Sequence, residues 1–188
     1  MILTTERLEI RDFEERDWKP TLEYQSDPDF LHFNPWTHRT EADVRSLVRM
    51  FINWGRERPR RKFQLAIILK SERRLIGNCG LRMSYAQEGI ADLGYELDRH
   101  YWGHGYATEA SRALLQFGFE QLHLHRIWAY CLSENVASAH VLEKIGMRFE
   151  GAQLESEWMK ERWWNTLFYA MLEREWLSLC GEAPAKIS

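Results

Sequence analysis

The sequence is most informative at residues 101–110, which read Tyr101-Trp102-Gly103-His104-Gly105-Tyr106-Ala107-Thr108-Glu109-Ala110. The segment stands between a run typical of a strand and an amphipathic run typical of a helix. Gly103 and Gly105 lack a Cβ, so the backbone can turn sharply there and approach a ligand closely. The first amides of a helix have no partner within it, and the helix dipole favours negative charge at that end. The segment therefore predicts a phosphate-binding loop.

Composition indicates an ordinary globular chain. It has 188 residues, of which 45% are hydrophobic and 28% charged, and a net charge of −3 that argues against general nucleic-acid binding. No apolar run reaches the roughly 18 residues of a membrane span, and residues 1–7 are not typical of a signal peptide. The cysteines Cys79, Cys131 and Cys180 are far apart and are expected to be reduced. Together these features predict a cytoplasmic protein that does not bind membranes.

Hydrophobic periodicity predicts about seven strands and about four helices. Strands are expected at about 8–13, 63–69, 75–83, 91–97, 126–131, 147–155 and 163–173. Helices are expected at about 15–26, from Thr40 to before Pro59, at 106–121 and at 135–145. Three successive antiparallel strands within this order predict an α+β fold with a mixed, mostly antiparallel sheet. We expect a single domain at 1–177, followed by a C-terminal tail at 178–188.

Other phosphate-binding motifs fit residues 101–110 poorly. A dinucleotide fingerprint needs Gly or Ala three residues after Gly105, where this chain has Thr108. The opening βαβ unit of that fold is also missing, because a hairpin precedes the strand. No Gly-Lys-Ser/Thr sequence marks a P-loop. On the glycine spacing alone, a plain tight turn remains the alternative.

Three segments taken together resemble the GNAT acetyltransferases: residues 95–98, 101–110 and 135–151. The closest resemblance is to the RimJ/RimL branch, the ribosomal-protein N-acetyltransferases, to which residues 3–8 and 163–176 are also similar. The resemblance covers about residues 3–176. It implies a single GNAT domain. One departure is Trp102, because the family's loop often begins with Gln or Arg, but this removes a side chain and leaves the amides.

The resemblance implies acetyl-CoA as co-substrate. Main-chain amides of the loop would hold the pyrophosphate, and the loop residues implied are Trp102, Gly103, His104, Gly105, Tyr106, Ala107 and Thr108. The pantetheine arm would lie like an extra strand beside Tyr95, Glu96 and Leu97, in a gap where that strand diverges from the strand at 126–131. An open strand edge suits such an amide-bearing ligand.

Asn135 and Ser138 each have a structural and a functional interpretation. Asn135 is well placed as a helix N-cap, and it also matches the family residue that contacts the pantetheine arm. Ser138 is by default a backbone-bonded or solvent-facing serine, whereas by resemblance its hydroxyl faces the thioester sulfur as a catalytic hydrogen-bond donor. Many family members carry a tyrosine acid on this helix. This chain has Leu142 there, and no tyrosine between Asn135 and Gly146.

A glutamate is expected to act as the base. By resemblance, Glu157 is the first candidate and would act through water. Glu96 is the second, because its neighbours place it on the strand beside the cofactor. The alternative for Glu155, Glu157 and Glu161 is a solvated acidic face, although such a face would also suit a cationic acceptor. Glu109 is expected to be a structural carboxylate favoured by the helix dipole.

The resemblance therefore implies an acyltransferase that moves an acetyl group to a primary amine by direct attack in a ternary complex. The acceptor would be a protein N-terminus or a small amine such as a polyamine or antibiotic. The amide of Leu97 or a neighbour is expected to stabilise the oxyanion. Cys131 is the only thiol expected nearby, and no covalent route through it is expected. Monomer and homodimer are both left open.

Two other classes of function are also left open. The same fold could be a non-catalytic acetyl-CoA sensor or scaffold, or a nucleotide-binding domain. His100 with His104, and His123 with His125, lack a third ligand, so no metal site is predicted. The basic run at 56–62 is interpreted as a solvated loop, with contact to an RNA-rich partner or to the CoA 3′-phosphate as the alternative.

Overall fold

The computed structural model describes residues 1–83 and 87–181. In these ranges the strands are β1 (Ile2–Thr4), β2 (Leu8–Asp12), β3 (Lys62–Leu69), β4 (Arg74–Met83), β5 (Ile90–Leu97), β6 (Arg126–Leu132), β7 (Arg148–Met159) and β8 (Arg162–Leu172). The α-helices are α1 (Trp18–Gln25), α2 (Pro28–His32), α3 (Glu41–Arg56), α4 (Tyr106–Gln116), α5 (Val136–Lys144) and α6 (Glu173–Leu179). Among the described residues, no helix is both long enough and apolar enough to cross a bilayer.

The strands form one sheet in the order β1-β2-β3-β4-β5-β6-β8-β7. Neighbouring strands are antiparallel except β5 and β6, which are parallel and joined through the crossover helix α4. The predicted α+β class and mostly antiparallel sheet are confirmed. The sheet has eight strands instead of about seven because β1 pairs with β2. A strand of three residues is too short to show a period-two pattern.

Two helices in the described part of the chain were not predicted. α2 begins where the first helix was expected to stop: the Asp29 amide donates to Asp27 Oδ1 at 2.8 Å, and Pro28 occupies the first turn. α6 begins after β8, where the Leu172 amide donates to Glu175 Oε2 at 2.8 Å. It extends two residues into the tail predicted at 178–188. Residues 182–188 of that tail lie outside the described residues.

Hydrophobic layers cover both faces of the sheet. Leu65 and Ile67 of β3 face the layer that contains α4 and α5, while Ala66 between them faces the layer that contains α1 and α3. This alternation is the expected consequence of strand geometry. β5 lies near the middle of the sheet, so its successive side chains point toward different helix layers.

β5 and β6 separate soon after they begin. Within the described residues they pair from Ile90↔Arg126 to Asp92↔Trp128. β5 remains paired with β4 as far as Leu97, and β6 remains paired with β8 as far as Leu132. Each strand therefore keeps one neighbour and leaves its other edge open to the gap. The predicted divergence of these two strands is confirmed.

Glu109, in the first turn of α4, connects that helix to the turn between β1 and β2. Its Oε1 accepts hydrogen bonds from Thr5 Oγ1 at 2.6 Å and the Arg7 amide at 2.9 Å, and its Oε2 accepts one from Arg7 Nε at 2.7 Å. Burial by itself would raise the pKa of Glu109, but these hydrogen bonds outweigh it, so the pKa lies below its ordinary value. The contacts agree with the structural role expected for this carboxylate.

Replacement of Glu109 should make stability less dependent on pH. We expect Glu109→Gln to lower the free energy of unfolding by about 1–3 kcal/mol at pH 7, because partly buried donors lose a charged acceptor. A carboxylate whose pKa is lowered by folding stabilises the protein above its unfolded pKa of about 4.3. That stability is lost as the pH falls through the folded pKa. Urea unfolding should show a smaller difference in the free energy of unfolding between variant and wild type at pH 3.5 than at pH 7.

The matched control for this measurement is Glu41→Gln. Glu41 is also in the first turn of a helix and pairs with Arg45 at 2.7 Å, but its side chain is 55% exposed. An exposed pair of this kind contributes about 0.5 kcal/mol or less. Equal losses in the two variants, or a Glu109→Gln loss that does not change with pH, would contradict the role assigned to Glu109.

Candidate active site

The loop before α4 has the backbone form expected of a phosphate cradle. Gly103 and Gly105 have φ angles of +76° and +79°, in the left-handed region that favours glycine. Gly105 is the N-cap of α4, so no side chain caps the helix there. The Glu109 amide donates to Gly105 O at 3.0 Å, which begins the helical ladder. The amides of residues 106–108 precede that bond and can face an anion.

Contacts at both ends hold this loop. Trp102 Nε1 donates to Leu97 O at 2.8 Å, which joins the loop to the end of β5. Arg7 Nη1 donates to His104 O at 2.9 Å, and the Arg7 guanidinium lies 4.5 Å from the centre of the Tyr106 ring. These contacts order the loop without using the amides at the start of α4. Such preorganisation lowers the entropy lost when a ligand binds.

A cavity of about 710 Å³ extends from this loop through the β5–β6 gap to the helices on the opposite face of the sheet. Most of the predicted site residues line it: Tyr95, Glu96, Leu97, Trp102, Gly103, Gly105, Tyr106, Ala107, Thr108, Asn135 and Ser138. His104 does not. It is exposed, its Nδ1 lies 2.8 Å from Trp102 O, and its ring stacks on that of Tyr106 at 5.8 Å.

Ser138 lies in the first turn of α5 and faces β5. Asn135 Oδ1 accepts a hydrogen bond from the Ser138 amide at 3.1 Å, which confirms Asn135 as the N-cap. The Tyr95 hydroxyl donates to Ser138 O at 2.9 Å and also lies 2.9 Å from Ser138 Oγ. Burial raises the pKa of Tyr95, so its hydroxyl is protonated at neutral pH. The two hydroxyls form a hydrogen-bonding pair in the cavity wall.

The contact between the Tyr95 hydroxyl and Ser138 was not predicted from the sequence. Tyr95 was expected only to border the pantetheine arm, and a tyrosine acid was considered only on α5. Period-two alternation along β5 was the available signal, because buried Leu93 and Leu97 place Tyr95 on the face toward α4 and α5. Alternation does not reveal which residue on those helices the hydroxyl meets.

Cys131 also lines this part of the cavity. Burial raises the pKa of its thiol to about 11, with a smaller opposing effect of a hydrogen bond with Ser138. The structure thus brings the one thiol expected nearby into the cavity wall beside Ser138. Because a thiolate is the nucleophilic form of cysteine, a thiol that stays neutral at pH 7 is a poor acyl acceptor.

Glu96 faces the opposite side of the sheet from Tyr95. Its Oε2 accepts hydrogen bonds from Tyr24 Oη at 3.1 Å, Gln25 Nε2 at 2.9 Å and Asn78 Nδ2 at 2.8 Å. Burial, and then the negative charge of Glu96, raises the pKa of Tyr24 well above its ordinary value, so Tyr24 remains a donor. Three donors, two from α1 and one from β4, fix the direction of this carboxylate in the cavity.

Glu157 does not line the cavity. It lies on β7 directly opposite Trp164, and cross-strand partners share a face of the sheet. Trp164 is buried and packs near His32 and Phe33. Glu157 is therefore on the same face as this aromatic cluster, but its own side chain is exposed on the edge strand. Glu155 is likewise exposed, as expected for a solvated acidic face.

The basic run at 56–62 makes contacts away from the α4 loop. Arg60 Nη2 donates to Asp12 Oδ1 at 2.6 Å, and Lys62 Nζ lies 4.6 Å from the Trp54 ring centre. Arg58 bonds main-chain oxygens of its own turn. Among residues 1–83 and 87–181, no group of three or more His, Cys, Asp or Glu side chains is placed to hold a metal ion.

Comparison with known proteins identifies the family. The sequence profile of the acetyltransferase (GNAT) domain matches residues 7–148. The chain belongs to the GNAT family. It is 38% identical over 176 residues to the uncharacterized N-acetyltransferase YnaD of Bacillus subtilis. The alignment covers 94% of this chain and 99% of the relative. This GNAT chain is thus an acetyl-CoA-dependent acyltransferase, as expected.

Solved GNAT structures share the fold. A GNAT acetyltransferase from Bacillus anthracis superposes with a TM-score of 0.81 at 36% identity, covering 93% of this chain and 99% of that one. RimL, a ribosomal L7/L12 alpha-N-protein acetyltransferase solved with coenzyme A, superposes with a TM-score of 0.80 at 19% identity, covering 92% and 98%. At that identity the second likeness shows the fold alone.

Gly105→Val tests whether the loop holds the cofactor. We expect at least a tenfold loss of CoA affinity, on the order of 1.4 kcal/mol, because a β-branched side chain at positive φ displaces the amides that would face the pyrophosphate. Calorimetric titration of CoA measures the affinity, and circular dichroism checks the fold.

Gly89→Val is the matched control. Gly89 has a φ of +72°, and a Cβ there would lie 3.5 Å from its nearest neighbour, the same distance as at Gly105. The backbone strain is therefore similar, but Gly89 is not part of the cavity wall. Normal CoA affinity in folded Gly105→Val, or an equal loss in Gly89→Val, would overturn the loop's role.

Proposed function

We propose that this chain is an N-acetyltransferase that moves an acetyl group from acetyl-CoA to a primary amine by direct attack in a ternary complex. The observation that carries the proposal is the continuous cavity through the β5–β6 gap. It has the α4 amides at one end, the Tyr95–Ser138 pair in its wall, and Glu96 on the opposite face of the sheet. This arrangement offers separate positions for the cofactor and the amine.

The cofactor is proposed to lie along β5. Amides of residues 103–108 hold its pyrophosphate, and the open edges of β5 and β6 receive the pantetheine amides. The backbone of β5 supports the second contact. The Asp98 amide donates to Ile76 O of β4 at 2.8 Å, and main-chain groups of an antiparallel strand alternate in direction. The amide of Leu97 therefore points into the gap, where it is the proposed oxyanion donor.

The thiolate that leaves is proposed to receive a hydrogen bond from the Tyr95–Ser138 pair. The neutral amine nitrogen forms a bond to the thioester carbon, the C–S bond then breaks, and the proton that the nitrogen gives up passes to the departing sulfur to form the CoA thiol. Ser138, in the first turn of α5, is the proposed donor to sulfur, while Tyr95 orients the Ser138 hydroxyl. A neutral Cys131 beside Ser138 leaves direct attack as the proposed route.

Glu96 is the proposed base, ahead of Glu157. Glu96 lines the cavity and is fixed by Tyr24, Gln25 and Asn78, whereas Glu157 is exposed on β7. A base must reach the proton that it removes, directly or through one water. Glu96 Oε2 accepts the three fixing hydrogen bonds, and we propose that Oε1 receives the ammonium proton.

The finer features of the resemblance remain proposals. Membership of the RimJ/RimL branch is supported by residues 95–98, 101–110 and 135–151, and by the fold shared with RimL. A protein N-terminus and a small amine are both retained as acceptor, and monomer and homodimer as assembly. A cytoplasmic location is supported by the free thiols of Cys79 and Cys131.

A thiol-release assay with acetyl-CoA and a panel of amines tests the function and the base together. We expect release with at least one amine, and a loss of kcat of about 10²-fold or more in Glu96→Gln, as is usual for removal of a general base. Glu157→Gln is the control, with kcat expected to stay within about twofold because the side chain is exposed.

Two outcomes would reverse this proposal. Binding of acetyl-CoA without thiol release for every amine, N-terminal peptides included, would favour the non-catalytic sensor or scaffold. Loss of kcat in Glu157→Gln but not in Glu96→Gln would restore Glu157 as the base. CoA affinity, measured in parallel, should be unchanged in both variants.

Tyr95→Phe and Ser138→Ala test the donor pair. Each should lower kcat by about tenfold or more with little change in the KM for acetyl-CoA, because a donor to the leaving sulfur acts in the transition state. Residues that act as one unit are not additive, so the double variant should be close to the worse single variant. Tyr169→Phe is the control, since Tyr169 is buried and bonds Glu143 at 3.3 Å outside the cavity. Full additivity, or a kcat unchanged in Tyr95→Phe, would contradict the pairing.

A further inference from the structure

The part of the cavity on the α1–α3 face is lined mostly by apolar side chains, with Asp29 and Asn34 as polar groups of its α2 side and a polar floor on the sheet. We refer to it as the acceptor chamber. It is lined by side chains from α2, the residues after it, and α3: Phe30, Phe33, Leu47, Met50, Phe51 and Trp54. Glu96 projects from β5 toward the same face and is held there by Tyr24 at 3.1 Å. A ligand amine at Glu96 would therefore carry its substituent among aromatic and aliphatic groups.

The wall of the chamber nearest the β7–β8 hairpin is fixed by packing. The Phe33 ring centre lies 6.4 Å from that of Trp164, and Trp164 is buried. Lys160, in the turn of this hairpin, donates to His32 O at 3.1 Å and also to Leu31 O. The hairpin therefore holds the end of α2 and the following Phe33 in place. A fixed aromatic wall favours a flat apolar group over a flexible charged chain.

The ionised side chains beside the chamber, apart from those that line it on α2 and β5, are a lysine and an arginine–aspartate pair. Lys62 Nζ lies 4.6 Å from the Trp54 ring centre, where it occupies the position of a cation–π partner. Arg82, farther along the floor, bonds Asp92 Oδ2 through Nε at 2.6 Å and Gln64 Oε1 through Nη1 at 3.3 Å. Asp92 is thus already paired with Arg82. A second ammonium group on a ligand would meet the Lys62 cation or the already paired Asp92, and not a free carboxylate.

Negative charge in the cavity is limited to one position near the chamber. Of the described residues that line the cavity, the carboxylates are Asp29 and Glu96. Asp29 Oδ2 lies 2.9 Å from Arg99 Nε, so its charge is paired. Glu96 is fixed by hydrogen bonds from neutral groups, namely Tyr24, Gln25 and Asn78. The chamber can therefore balance one ligand ammonium.

We infer that the acceptor is a primary amine with one positive charge and an apolar, ring-bearing substituent, and that polyamines are disfavoured. The inference rests on the proposed function, because it identifies the substrate class of that same site. The ammonium would meet Glu96 and transfer its proton there, and the ring would pack against Phe33, Phe51 and Trp54. An aryl-alkylamine and an N-terminal residue with an aromatic side chain share this chemistry.

The first experiment compares acceptors with the wild-type protein in the thiol-release assay. The probes are 2-phenylethylamine, ethylamine, spermidine and a short peptide that begins with Phe. We expect kcat/KM for 2-phenylethylamine to exceed those for ethylamine and spermidine by at least about tenfold, since an apolar pocket discriminates by roughly that factor or more. Comparison of kcat/KM for the Phe peptide and for 2-phenylethylamine shows whether the acceptor amine belongs to a protein N-terminus or to a free aryl-alkylamine.

The second experiment reverses the preference by placing a carboxylate in the chamber. Met50 lines the chamber and is 38% exposed, so a polar side chain is tolerated there. Met50→Glu should lower the ratio of kcat/KM for 2-phenylethylamine over spermidine by about tenfold or more, because a second ammonium gains a partner. Met50→Gln has the same size without the charge, and the ratio should stay within about threefold of wild type.

The outcomes separate this inference from the proposed function. Faster release with spermidine than with 2-phenylethylamine in the wild type would overturn the inference and leave the N-acetyltransferase proposal intact. An equal change of the ratio in Met50→Glu and Met50→Gln would also overturn it, because charge would then not be the selecting property. Absence of release with every amine, in protein that binds acetyl-CoA, would overturn both.

Discussion

The separation of β5 from β6 is the constraint on which the rest of the site depends. Two neighbouring strands in the middle of a sheet normally satisfy each other's main-chain groups, and unpaired buried groups are costly. Here the pairing stops at Asp92↔Trp128, although β5 continues to Leu97 and β6 to Leu132. The open edges remain stable because each strand keeps its other neighbour, and because the gap is part of a cavity that water or a ligand can fill. An extended ligand with amide groups matches both edges.

Strand alternation then distributes the chemistry on either side of this gap. Tyr95 and Glu96 are successive residues, so one must face α5 and the other α1. The hydroxyl of Tyr95 meets Ser138, and the carboxylate of Glu96 meets Tyr24. In the proposed reaction one side supplies a hydrogen bond to the departing sulfur and the other removes the proton of the amine. A slip of one residue in the register of β5 would exchange the two groups and remove both functions.

Much of the fold, and the geometry of the loop before α4, could be predicted from sequence because both depend on local signals. The glycines at 103 and 105, the start of α4 and the Asn135 cap are all readable within a few residues. The same locality explains the differences: β1 and α2 are too short for a periodic pattern, and α6 follows a strand without a turn signal. Glu96 shows the opposite case. Tyr24 and Gln25 lie more than 70 residues away, so no local pattern indicates that they fix its carboxylate.

Glu157 shows why resemblance and structure led to different candidates for the base. Resemblance transfers a role by position along the chain, and it cannot show whether the side chain at that position is enclosed. In this structure β7 is an edge strand whose side chains are largely exposed, with a break in register between residues 153 and 157. A carboxylate exposed to water is well solvated, so its attraction for an ammonium group is weak. Enclosure beside Tyr24, Gln25 and Asn78 gives Glu96 the fixed direction that Glu157 lacks.

The two ends of the cavity are built from different parts of the chain, and this difference has a consequence for specificity. In the proposed arrangement the cofactor end uses main-chain amides of the α4 loop and strand edges of β5 and β6, so most side-chain replacements there leave the proposed binding groups in place. The proposed acceptor end uses side chains of α2 and α3, which pack on the opposite face of the sheet. A replacement such as that of Met50 would therefore alter which amine fits without moving the amides proposed to hold the coenzyme. The proposed roles would thus let acceptor choice and coenzyme binding vary independently, because the sheet itself separates the groups responsible for them.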